Sequence, residues 1–168
     1  MEAERAPPAG FVRHDRQSPL TQPWEPLYSR RNDIGVAIGL WAREPHCNSR
    51  GFVHGGLVGA LADNAMGLTC ATRLGEGASL VTVNLCVDYM GAARIGQWLS
   101  FETGFVRLGG ALCFTSLMVR ADGEVCAKAS GVFRRVDRSA KAARSVRDIS
   151  ASPGPSRDRP RQSRPDHR

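Results

Sequence analysis

The sequence predicts an α+β fold in which an antiparallel sheet of about five strands wraps one long buried helix. Three observations lead there. Gly55 to Leu74 has no turn pair and no strand alternation, while Leu57, Leu61, Met66 and Leu68 recur near helical spacing. After it come four β-like segments, Leu80 to Tyr89, Gly96 to Arg107, Ala111 to Arg120 and Glu124 to Val136. Before it lies one more alternating run, Asp33 to Trp41.

Taken in order, residues 1–30 are rich in proline and charge without sustained periodicity. They are expected to form a flexible lead-in with a short helix near Leu20 to Tyr28. In the run from Asp33 to Trp41, Ile34, Val36, Ile38 and Leu40 alternate as a strand requires. The helix is apolar or small on nearly every face, which marks a buried helix. It holds Gly55, Gly56, Gly59 and Gly67, and each interior glycine costs roughly 1 kcal/mol against alanine. Such a helix depends on tertiary packing, and its small residues permit close approach of sheet, subunit or ligand. In Leu80 to Tyr89 the alternation puts Val81, Val83, Leu85, Val87 and Tyr89 on one face and Thr82, Asn84 and Asp88 on the other. Gly109-Gly110 and Asp122-Gly123 supply hairpin turns. The folded domain is thus placed at residues 31–136. From residue 137 onward Arg, Ser, Pro and Asp replace large apolar side chains, so residues 137–168 are expected to be a disordered basic tail.

The formal net charge of +7 belongs mostly to that tail, which carries nine Lys and Arg against four Asp. It therefore says little about what the folded part binds. The tail has no aromatic residues to stack on bases, and no nucleic-acid partner is expected. No apolar run approaches the roughly eighteen residues of a membrane span, and the first ten residues show no leader-like apolar stretch. The five cysteines are odd in number and lack CxxC spacing, which points to a reducing, cytoplasmic setting. Neither metal-ligand spacing nor a phosphate-cradling glycine loop is present, so no cofactor is expected.

The informative stretch is Asn48-Ser-Arg-Gly51-Phe-Val-His54-Gly55-Gly56, followed by Leu61-Ala-Asp63-Asn64. It reads as a glycine-rich turn entering the buried helix. Free N–H groups of a first helical turn, together with the helix dipole, favour a developing negative oxygen. Gly55 and Gly56 let a ligand approach the backbone closely. Asp63, two turns on in an apolar helix, is costly unless partnered, placed at an interface or used chemically. A cradle for an oxyanion near such a carboxylate suggests acyl transfer or hydrolysis. Blander readings stand beside this one: an Asx-turn at Asn48, a core histidine at His54, a loop-capping carboxylate at Asp63. Cys47 adjoins the motif but lacks a matched base.

The N-x-x-G-x-x-H-G-G spacing, then L-A-D within the helix, resembles the phenylacetate-degradation-type (PaaI-like) thioesterases of the hotdog superfamily. Thr82 to Arg94 and Gly123 to Gly131 resemble later strands of that family, so the likeness spans about residues 33–136. It implies an acyl-CoA thioester hydrolase, active as a dimer or a dimer of dimers, with joined sheets and sites at the subunit interface. By that resemblance Asp63 is the general base or nucleophile, and the Gly55 N–H polarises the thioester carbonyl. Asn48 holds water or carbonyl from across the interface, His54 shapes the pocket, and Gly56 and Asn64 line it. Thr82 matches a hydroxyl near the attacking water, although alternation sets it opposite the apolar face, where it reaches a site only if that face meets a partner. Arg94, Arg107 and Arg73 are candidates for the CoA phosphates by position and charge. Ala92 stands where the family often has proline. Two other readings stay open: a catalytically silent acyl-CoA-binding hotdog module, and a hotdog dehydratase or hydratase of hydroxyacyl thioesters.

Overall fold

The computed structural model describes residues 5–136. The basic tail lies outside the described residues. Seven strands form one antiparallel sheet: β1 (Val12–Arg13), β2 (Tyr28–Arg31), β3 (Val36–Trp41), β4 (Leu80–Tyr89), β5 (Trp98–Leu108), β6 (Leu112–Ala121) and β7 (Glu124–Arg135), in the order β1-β2-β3-β5-β6-β7-β4. One helix, α1 (Gly55–Leu74), packs on its inner face. This is the α+β hotdog architecture with two strands more than expected.

Both extra strands come from the proline-rich lead-in, which is not a free segment. Phe11, Leu27 and Tyr28 are all buried there. Pro23 and Pro26 confine the expected helix to a single 3-10 turn, Gln22–Trp24, because proline removes donors and clashes with a preceding helical turn. Strand β3 begins three residues later than the alternation suggests. Asn32 Oδ1 accepts from the N–H groups of Ile34 (3.0 Å) and Gly35 (2.8 Å), and this Asx turn holds the chain out of the ladder.

The helix buries Leu57, Val58, Leu61, Ala62, Ala65, Met66 and Cys70 against Ile38, Leu40, Leu99, Phe101 and Leu117. Full burial of each large side chain contributes roughly 1.5–3 kcal/mol. On the outer face a second cluster forms where the lead-in folds back. Trp98 lies 5.1 Å from Phe11, 5.1 Å from Trp41 and 5.7 Å from Tyr28, centroid to centroid. Gly39 makes room for it: a Cβ there would stand 2.2 Å from the Trp98 ring. Asp122 and Gly123 both take positive φ, 48° and 92°, as a two-residue hairpin between β6 and β7 demands.

Strand β4 departs most from the alternation rule. Its register on β7 shifts between Thr82 and Asn84, so Val83 is an extra residue and the two-residue period breaks there. Thr82 pairs with buried Phe133, and Val87 with buried Ala129. Paired residues share a face, so Thr82 lies on the helix side together with Leu85, Val87 and Tyr89. The expectation that Thr82 opposes the apolar face is thereby corrected. β4 is also an edge strand hydrogen-bonded on one side only. Val81 (48% exposed), Val83 (58%) and Tyr89 (56%) are open to solvent, so the strand is largely exposed within this chain.

Candidate active site

The approach to α1 is built by short-range hydrogen bonds. Asn48 Oδ1 accepts from the N–H groups of Arg50 (2.9 Å) and Phe52 (3.3 Å), which folds the turn at positive-φ Gly51. The Val53 N–H reaches the Ala93 carbonyl at 2.9 Å, and Phe52 bridges to Arg94, whose guanidinium lies 4.6 Å from the Phe52 ring centroid. The motif is thus laced to the loop that follows β4. Below it sits His46, buried, with Nδ1 accepting from the Arg43 N–H at 3.0 Å. Burial first, and the neighbouring Arg43 second, push its imidazole down to about 4, so it is neutral at physiological pH. The His46 carbonyl accepts from the His54 N–H at 2.9 Å and fixes the residue that caps the helix.

The first turn of α1 then has a simple account. His54 Nδ1 accepts from the Gly56 N–H at 2.9 Å, and the His54 carbonyl accepts from Leu57 (3.0 Å) and Val58 (3.2 Å). Among the described residues, the Gly55 N–H has no acceptor. An unsatisfied amide at the positive end of a helix is a donor ready for an anionic oxygen. The Tyr89 hydroxyl donates to the Gly55 carbonyl at 2.6 Å, and its ring covers the same residue; a Cβ at Gly55 would stand 3.2 Å from it. Tyr89 was legible in the sequence only as a member of an alternating strand, and its hydroxyl gave no local signal.

Asp63 stands on the same side of the helix, eight residues along. It is half-buried rather than sealed in an oily interior, and Thr82 Oγ1 donates to its Oδ1 at 2.8 Å. The described ion pairs do not include it. Its exposure and its place against an edge strand resolve the cost of a carboxylate in this helix. Asn64 follows it, also half-buried. Eight residues correspond to about 12 Å along the axis, so the Gly55 N–H and Asp63 of one chain cannot both touch one carbonyl group. The expected nearness of cradle and carboxylate does not hold within a single chain.

The three candidate phosphate ligands are scattered. Arg94 stays beside the motif. Arg73 donates to the Asp33 carbonyl at 3.1 Å at the far end of α1, about 27 Å from Gly55 along the helix. Arg107 is exposed on β5 in a cross-strand row with Phe114, Val132 and Asn84, on the sheet face turned away from the helix. Among the described residues no His, Cys, Asp and Glu cluster could hold a metal ion.

A thioesterase superfamily model matches residues 50–128, from the glycine-rich turn into β7. The Pseudomonas aeruginosa protein named "Putative esterase PA0474" is 36% identical over 127 residues, covering 75% of this chain and 95% of its own length. Human acyl-coenzyme A thioesterase 13 is 38% identical over 64 residues, 37% of this chain and 44% of its own. Among solved structures, a mutant of the phenylacetic acid degradation protein PaaI from Thermus thermophilus superposes with a TM-score of 0.62 at 23% identity, over 71% of this chain and 100% of that one. The chain belongs to the thioesterase superfamily.

Proposed function

We propose that the protein hydrolyses acyl-CoA thioesters to the free acid and CoA, at sites shared between two copies of the chain. The observation that carries this reading is the separation just described: an unengaged Gly55 amide and a half-exposed, Thr82-bonded Asp63 lie too far apart to serve one substrate alone. The long, solvent-open edge of β4 offers the means of joining. An unpaired apolar edge is a template for another strand, and β4 meeting a second β4 continues the sheet while bringing one copy's helix start toward the other's carboxylate.

In such a site the Gly55 N–H donates to the thioester carbonyl oxygen and stabilises the negative charge that develops there. Asp63 of the other copy removes a proton from a water as its oxygen bonds to the carbonyl carbon, or itself attacks that carbon to form an anhydride that water then hydrolyses to free acid and carboxylate, while Thr82 holds the carboxylate in place. In either course the C–S bond breaks and the CoA thiolate leaves and takes up a proton. His54, whose Nδ1 accepts from the Gly56 amide, orders the first turn. In this reading Asn48, whose Oδ1 holds the turn, faces the substrate at the mouth of the same loop. The acyl-CoA thioesterase among the relatives supports the substrate class. Five cysteines without a disulfide accord with a cytoplasmic setting, and no helix among the described residues is long and apolar enough to cross a membrane.

The test is release of free thiol across a panel of aryl and aliphatic acyl-CoAs. Asp63→Asn is expected to lower turnover about a thousandfold with unchanged far-ultraviolet circular dichroism. Turnover equal in Asp63→Asn and wild type would refute the assignment, as would binding without turnover, the mark of a silent binding module. Single turnover in heavy-oxygen water separates direct attack from base catalysis.

A further inference from the structure

Two adjoining cavities lie beside the loop that precedes the helix. The nearer, about 420 Å³, is lined by Asn48, Cys47, Ser49 and Gly51, with Glu44 and Ile95 at its rim. Glu44 and Ile95 also line the second, about 680 Å³, whose far walls are Trp41, Tyr28, Arg43 and Arg5. The path therefore runs from the motif that meets the thioester to a pocket of a different chemistry.

That pocket combines an aromatic face with two cations. The Arg5 guanidinium carbon lies 3.5 Å from the Trp41 ring centroid, and Arg5 is pinned by donation from Nη1 to the Gly96 carbonyl at 3.0 Å. The Trp41 indole N–H in turn donates to the Ala6 carbonyl at 3.1 Å, which holds the incoming segment against the pocket. Arg43 donates to the Glu25 carbonyl and lies 3.4 Å from His46 Nε2. Both guanidiniums are thus oriented by neutral acceptors, and among the described residues neither forms an ion pair with a carboxylate. Their charge is directed but not neutralised. Glu44 sits at the junction and disfavours an anion there, which leaves the Arg5–Arg43 end for negative groups.

We propose that this Trp41–Arg5–Arg43 pocket seats the adenine nucleotide end of the CoA thioester, the inference resting on the acyl-CoA reading above. A purine stacks on an aromatic ring or on the plane of a guanidinium laid over one. Phosphates pair with forked guanidinium donors. The pantetheine arm then follows the junction at Ile95 back to Asn48. The assignment moves phosphate recognition away from Arg73 and Arg107 and gives the N-terminal segment a role: it delivers Arg5.

Two measurements test it. Wild type is compared with Arg5→Ala and Arg43→Gln on an acyl-CoA and on the same acyl group carried by N-acetylcysteamine, which lacks the nucleotide. Arg5 is exposed, so its removal spares the fold. The expected result is a roughly tenfold rise in KM for acyl-CoA with kcat/KM for the truncated thioester unchanged. Equal effects on both substrates, or no effect on either, would overturn the pocket assignment while leaving hydrolysis in place. Wild type inactive on both substrates would instead remove the acyl-CoA reading. Quenching of tryptophan fluorescence by adenosine 3′,5′-bisphosphate checks the pocket independently of turnover. Quenching that Arg5→Ala weakens supports it, and no quenching, or quenching that both variants retain, contradicts it.

Discussion

The two edges of the sheet are finished in opposite ways. At the β1–β2 edge the chain folds its own N-terminal segment over the strands, and Phe11, Tyr28, Trp41 and Trp98 close a small aromatic core on the outer face. At the β4 edge nothing among the described residues covers the strand, and Val81, Val83 and Tyr89 stay open although they are apolar. Every group with a chemical task in the proposed reaction lies toward the unfinished edge: Asp63 is bonded to Thr82 and the Gly55 turn is braced by Tyr89, both on β4. In the proposed reading one edge is sealed by the chain itself and the other is reserved for assembly, with catalysis at the reserved edge. Damage should therefore be sorted by edge.

The largest effect belongs to the open edge. Val83→Lys places a charge on the free strand, where lysine blocks pairing. The variant is expected to sediment as a monomer and to lose hydrolysis by about a hundredfold or more, with its melting transition still cooperative. An assembled and active Val83→Lys protein would break the comparison. At the closed edge, Trp98→Ala empties the aromatic cluster and should cost about 3–5 kcal/mol in denaturant unfolding. The kcat per folded molecule at saturating substrate should stay near wild type; a lowered kcat at full stability would show that this edge has a direct part in the chemistry. The smallest effect is Thr82→Val, which deletes one hydrogen bond to a carboxylate and is expected to lower kcat about tenfold while leaving the melting temperature within a few degrees. A large stability loss with normal kcat would make the contact structural.

Legibility in the sequence followed local regularity. Helix Gly55–Leu74 and strand Leu80–Tyr89 were both readable to the residue, because long runs with one period leave little ambiguity. β1 and β2 were hidden because two and four residues in a proline-rich segment carry no period. Their signal was the scattered large residues Phe11, Leu27 and Tyr28, which a free lead-in has no reason to hold. The facing of Thr82 was misread for a single cause: one extra residue at Val83 inverts a two-residue period. In the motif, the roles proposed for Gly55, His54 and Asp63 rest on spacing that a sequence displays. The gap of about 12 Å between Gly55 and Asp63 also follows from counting helix residues. What no local pattern displays is Tyr89 reaching the Gly55 carbonyl, or Arg5 reaching Trp41, since both join segments that lie 34 or more residues apart.

Subunit mixing addresses the shared site most directly. Gly55→Pro removes the donor N–H at the first helical position, where proline is tolerated, and Asp63→Asn removes the carboxylate; each pure protein should be inactive. Unfolded together and refolded in equal amounts, random pairing should restore about a quarter of wild-type activity, because each mixed dimer holds one site with both wild-type groups. No recovery from mixtures shown to contain mixed dimers would mean that Gly55 and Asp63 act within one chain, and the shared site would be wrong.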